Sequence, residues 1–253
     1  MGTLVGRFLL IFFSLQALLL GLALTQTAQQ FVVLPWTALV ARFCVALVTL
    51  FDGSGAEFPA RITAVGRSSV ALAVLARHEI SRELKTEITL GVALPKGDRQ
   101  RWLVEKAVEL GVACLVPLIT ERGVAEPNEA ALGRLRRYVI EAAKQSGRNR
   151  LLQIAPPQTL PEFSRHASRA ALRLLAHPGP DAVPTAELGW SAPPGAVCCA
   201  VGPEGGFTDE ELADADGWRR VSLGPRILRV ETAAVALAAW FSLWDAFRAG
   251  LQD

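Results

Sequence analysis

Two short segments near the C-terminal end of the chain place permissive glycines beside charged side chains. Gly202-Pro203-Glu204-Gly205-Gly206 holds one carboxylate, and Leu223-Gly224-Pro225-Arg226-Ile227-Leu228-Arg229 holds two guanidinium groups. Glycine lets the main chain turn tightly and lets N–H groups approach a ligand. Arginine suits RNA phosphates, or negative charge that develops during a reaction. A polyphosphate would want the helix N-terminus after the first segment left free. Here Thr208 reads as an N-cap completed by Glu211, with Asp209 and Glu210 in the same acidic turn. That arrangement suits a neutral or cationic ligand. Alone, one glycine loop is equally a tight connection with no ligand, and isolated loop arginines are more often solvated charges; the pairing of the two segments is what points to a site.

The elements that position them follow from hydrophobic pattern. Ala196 to Val201 is apolar without alternation, as a strand covered on both faces requires. Arg219 to Leu223 is a second strand, and a long apolar helix is expected from about Glu231 to Phe247. Two strand–loop–helix junctions some twenty residues apart bring both loops to the carboxyl edge of a parallel sheet, where α/β proteins keep their ligand crevices. Upstream, Ile88–Leu94 and Val112–Leu118 read as strands, Asp98–Leu110 as an amphipathic helix ended by Gly111, and residues 129–146 as a helix opened by Pro127-Asn128. In that helix Leu132, Leu135, Val139 and Ala143 share one face. Strands alternating with helices mean a mostly parallel sheet. Before it, Val48 to Phe51, an Asp52-Gly53 turn, Phe58 to Val65 and Val70 to Leu75 read as β structure, and polar residues 77–85 as a linker.

The two loop segments, extended through Val201–Glu211 and Leu223–Ala234, resemble the C-terminal signature of RsmE-type methyltransferases of the SPOUT superfamily. Glu105–Val112, Thr120-Glu121-Arg122 and Glu141–Arg150 agree in order, so the resemblance runs from about residue 48 to the end. Val230 stands where the family usually has threonine. The resemblance implies a trefoil-knotted α/β domain over residues 83–253, preceded over residues 48–82 by the remainder of a small PUA-like β-barrel. It implies transfer of a methyl group from S-adenosylmethionine to N3 of a uridine in 16S ribosomal RNA of the small subunit, by a cytoplasmic homodimer without a metal. The donor would be lined by Leu175, His177, Val201, Gly202, Pro203, Glu204, Gly205, Leu223, Gly224, Ile227 and Leu228. Arg229 or Arg226 would stabilise the developing uridine anion. Glu204 would accept the proton, or would fix its own loop. Two other outcomes are weighed: a SPOUT enzyme methylating the ribose 2′-oxygen, and a catalytically impaired RNA-binding relative.

Net charge is only +2, so a global basic field does not draw this chain to RNA; local clusters must. Candidate phosphate contacts are Lys96, Arg99 and Arg101 at the start of one helix and Lys144, Arg148 and Arg150 at the end of the next. Any one such cluster is by default a solvated face. Cys44, Cys114, Cys198 and Cys199 lack metal-ligand spacing and read as reduced, small core residues. His78, His166 and His177 are too scattered for a metal site.

Residues 1–47 stand apart. Arg7 and Arg42 are their only charges, and Phe8 to Leu24 is almost wholly apolar. The pattern is signal-like, slightly short for a membrane span. It conflicts with a cytoplasmic RNA enzyme, so the expectation is a mistranslated stretch from a frameshift or misplaced start, leaving the barrel incomplete. A membrane-targeting extension, and with it a secreted or membrane protein, is the alternative.

Overall fold

The computed structural model describes residues 10–13, 47–65, 69–125, 127–188 and 195–249, and the chain divides into two units, Met1–Arg82 and Glu83–Asp253. In the first unit β1 (Leu10–Phe13), β2 (Leu47–Phe51), β3 (Ala56–Val65) and β4 (Val70–Val74) run in that order across an antiparallel sheet, and β5 (His78–Glu79) pairs with β3. Alternation decides which side chains turn inward: Val48, Leu50 and Ala60 are buried together, with Phe58, Ile62 and Leu72 packed against them. The β2–β3 connection is longer than a two-residue hairpin. Asp52 Oδ1 accepts from both the main-chain N and Oγ of Ser54, at 2.9 and 2.6 Å, and Gly53 and Gly55 take positive φ on either side.

Leu10–Phe13 is a strand of this sheet, paired with β2 from Leu10↔Phe51 to Phe13↔Val48. Leu-Ile-Phe-Phe carries the aromatic and β-branched side chains that strands favour. The apolar stretch around it otherwise lies outside the described residues, as does Cys44.

The second unit is built on a sheet whose strand pairs are all parallel. Its strands are β6 (Glu87–Val92), β7 (Cys114–Ile119), β8 (Gln153–Ile154), β9 (Gln158–Thr159), β10 (Leu172–Ala176), β11 (Val183–Pro184), β12 (Ala196–Val201) and β13 (Arg219–Ser222). They lie in the order β11-β13-β10-β12-β6-β7-β8, with β9 also on β7. β12 is central, which explains its unbroken apolar sequence. Cys198 and Ala200 join Val116, Leu118, Leu175, Phe163 and Trp218 in one cluster. Val197, Cys199 and Val201 alternate with them and are buried too.

Helices cover this sheet: α1 (Arg99–Glu109), α2 (Glu129–Ser146), α3 (Leu160–His166), α4 (Asp209–Ala213) and α5 (Val230–Ala249). α1 packs on α2 and α5, and α5 reaches β6 and β12. From the other side α3 packs on β7, where the Phe163 and Trp218 rings lie 5.5 Å apart and Trp218 donates to Ser164. α2 begins where Asn128 accepts from Ala131 N and ends at left-handed Gly147, and its buried face includes Leu132, Leu135, Val139 and Ala143. α1 differs at its start, since Asp98 has helical angles and makes no side-chain cap. Burial lifts the Cys114 and Cys198 thiols to about 11 and raises Cys199 further, so all three are poor nucleophiles. None of the helices among the described residues is long and apolar enough to cross a membrane.

Candidate active site

Register brings the loops together. Ala176 on β10 lies opposite Val201 on β12 and Val221 on β13, while Val201 lies opposite Val92 on β6, which in turn faces Pro117 on β7. Five neighbouring strands therefore reach the carboxyl edge at nearly one level, and the segments following them meet there. A cavity of about 240 Å³ opens at that edge. It is lined by Ala176 to Pro178 after β10, Val201 to Phe207 after β12, Val221 to Gly224 and Arg226 to Leu228 after β13, and by Val230 and Ala233 of α5.

The first loop is held on several sides. Arg122 Nη1 donates to the Gly205 carbonyl at 2.9 Å, and Gly206 N donates to Pro203 O at 2.8 Å. Thr208 and Glu211 form the expected capping box, and the same Glu211 carboxylate accepts from Glu121 N at 3.0 Å, tying α4 to the loop after β7. Arg99 Nη1 reaches Glu204 at 3.2 Å and the buried Glu231 at 3.7 Å. A Cβ on Gly202 would stand 2.9 Å from the Phe207 ring, so the backbone approaches that ring more closely than any other residue type allows. The second loop is open. Gly224, Pro225, Arg226 and Ile227 are exposed, Gly224 has φ +114°, and Ser222 Oγ donates to Gly224 O at 3.2 Å.

Of the residues read from sequence, His177, Val201, Gly202, Pro203, Glu204, Gly205, Leu223, Gly224, Arg226, Ile227 and Leu228 stand on the cavity wall. Leu175 does not: its side chain is buried in the core cluster, because neighbours on a strand face opposite ways and Ala176 takes the outer position. Arg229 is also off the wall, exposed where α5 begins. His177, on the cavity wall, has its proton affinity lowered, by burial first and then by Arg220.

The proposed phosphate contacts divide. Lys96 and Arg150 are exposed; Arg101 pairs with Glu105 at 2.6 Å and lies 5.7 Å over the Tyr138 ring; Lys144 pairs with Glu141 at 2.9 Å. Arg148 must be withdrawn. It is 5 % exposed, with its guanidinium on both Glu83 oxygens and on the carbonyls of Val108 and Val112. The left-handed turn at Gly147 sends the chain inward at that point, which a charge count along the sequence does not reveal. Sequence reasoning also gave no role to Arg122, Phe207, Val230 or Ala233. The last two had a signal: they are three apart on the first turn of α5 and so share a face.

These walls suit a ligand that joins an apolar part to a cationic one. Apolar side chains and main-chain groups dominate them, and the nearby carboxylates suit a cationic group better than a polyphosphate. Comparison with known proteins agrees. An RNA methyltransferase domain family model matches residues 82–242. The chain belongs to this family. Among its relatives is the ribosomal RNA small subunit methyltransferase E of Synechocystis sp., 38% identical over 75% of this chain; the chain spans 63% of that protein's length. The Rickettsia conorii enzyme of the same name is 31% identical over 75% of this chain and 78% of its own. Two solved structures share the architecture. One is the Neisseria gonorrhoeae methyltransferase E bound to S-adenosyl methionine, with TM-score 0.71, 31% identity and coverage of 82% of this chain and 87% of that one. The other is a Legionella pneumophila putative methyltransferase in complex with the same cofactor, with TM-score 0.72, 34% identity and coverage of 79% and 83%.

Proposed function

We propose that this RNA methyltransferase family member uses S-adenosylmethionine to methylate N3 of a uridine in the 16S ribosomal RNA of the small subunit. The observation that carries the reading is the cavity at the carboxyl ends of β10, β12 and β13, walled by both glycine-proline loops. Its relatives' names supply the RNA class, and the chemistry of uridine supplies the rest. When bound, the donor supplies a methyl group already activated by a positively charged sulfur. Val201, Leu228 and Ile227 offer apolar contact to its adenosyl part, and main-chain groups of the two loops fix its orientation. N3 becomes nucleophilic as its imino proton leaves, so the chain's task is to align N3 and to stabilise the anion that forms. Arg226, on the wall, is better placed for that role than Arg229. Glu204 is engaged by Arg99 and anchors its loop in this reading, instead of taking the proton.

The same reading includes a trefoil knot within the second unit, a PUA-like RNA-holding role for the first, a homodimer and a cytoplasmic location. Lys96, Arg101, Lys144 and Arg150 remain the proposed phosphate contacts. Incubation with labelled donor and small subunits lacking the modification, followed by nucleoside digestion, tests the assignment. Label in 3-methyluridine is expected. Label in a 2′-O-methyl nucleoside would move the chain to the ribose-modifying class, and no label under conditions of donor binding would make it a non-catalytic relative.

A further inference from the structure

Arg99 is the first residue of α1, which starts a few residues beyond the end of β6. Its Nη1 lies 3.2 Å from Glu204 Oε1 and 3.7 Å from Glu231 Oε2. Glu204 belongs to the first loop and lines the cavity; Glu231 follows the second loop, in the turn of α5 that supplies Val230 and Ala233 to the same wall. The Glu231 side chain is 8 % exposed, and its Oε2 makes no hydrogen bond among the described residues. A buried carboxylate so placed depends on a nearby cation for compensation. A guanidinium between two carboxylates is poorly placed to bind phosphate, because the phosphate would meet both negative charges.

We infer that Arg99 is a positioning residue, not an RNA contact: it ties the Gly202–Gly206 loop to the start of α5 through Glu204 and Glu231 and so fixes the spacing of the cavity walls. This rests on the reading of the cavity as a donor site. S-adenosylhomocysteine binding by calorimetry, thermal melting, and the salt dependence of RNA binding together test it. Arg99→Met should weaken S-adenosylhomocysteine binding at least tenfold while the salt slope of RNA binding stays at the wild-type value. Adding Glu231→Gln removes the stranded charge but leaves Glu204 untethered, so the double variant should bind with an affinity between Arg99→Met and wild type. Should Arg99→Met fail to melt cooperatively, the double variant carries the test and should still bind more weakly than wild type. Wild-type affinity in either variant overturns the inference, as does a double variant no better than a folded Arg99→Met. A salt slope reduced by about one with donor-product affinity unchanged would return Arg99 to the phosphate contacts. A wild-type chain that binds no S-adenosylhomocysteine would instead overturn the donor-site reading and this inference with it.

Discussion

The two glycine-proline loops share a cavity but are built differently. The Gly202–Gly206 loop is fixed by Arg122 and Arg99 from outside, by its own Gly206–Pro203 turn and by the capped helix that follows. In the second loop, residues 224–227 stand exposed. Local stability follows packing and protected hydrogen bonds, so the first loop is the more firmly held wall and the second the less anchored one. Under the proposed function this contrast is a division of labour: one loop would set where the donor sits, and the other would bring charge to the reacting base.

Substitutions can break this contrast. The largest effect is expected from Arg226→Ala, which should lower kcat by roughly 100-fold, the usual scale for losing one electrostatic stabiliser, with donor affinity nearly unchanged. Arg229→Ala should cost much less; the reverse order in single-turnover assays would exchange their roles. Gly202→Val drives atoms into Phe207 and should weaken donor binding by about 2–3 kcal/mol, as overpacking does, measured by calorimetry. Gly224→Ala meets no neighbouring atom among the described residues but demands φ +114°. The strain of about 1–2 kcal/mol should lower the melting temperature or shift the loop, not block the cavity. Arg122→Met removes one exposed charged hydrogen bond and should cost about 1 kcal/mol in donor affinity, with increased hydrogen exchange confined to the first loop.

The smallest effect concerns His177. Burial and Arg220 favour its neutral form, so an NMR titration should place its midpoint below the ordinary histidine value. Its stabilising contribution is therefore present above the pKa of the unfolded chain and is lost as pH falls through the lowered value. A midpoint above the ordinary value would mean that Asp209, the opposing charge, outweighs burial and Arg220.

Much of this architecture was legible because its signals are local. The apolar run at Ala196–Val201 became the central strand with the same limits, and residues 129–146 became a helix with the expected cap and buried face. The capping box at Thr208 and Glu211 was readable for the same reason. Contacts across long sequence separation were not. Nothing near Arg148 announces that Glu83, 65 residues earlier, will hold its guanidinium in the interior. Nor does a cluster of basic residues at the start of α1 disclose that Arg99 turns toward Glu204, 105 residues later. The strand at Leu10–Phe13 was obscured by a different effect. Continuous apolar sequence has no period, and composition alone does not separate a leader from a strand.

The most direct test of the central claim is a calorimetric titration of the wild-type chain with S-adenosylhomocysteine. Saturable heat with one site per chain, clearly weakened by Gly202→Val in a variant that still melts cooperatively, is the predicted result. No heat of binding to well-folded wild-type chain, or equal binding by Gly202→Val, would contradict the assignment of the cavity between the two loops as the methyl-donor site.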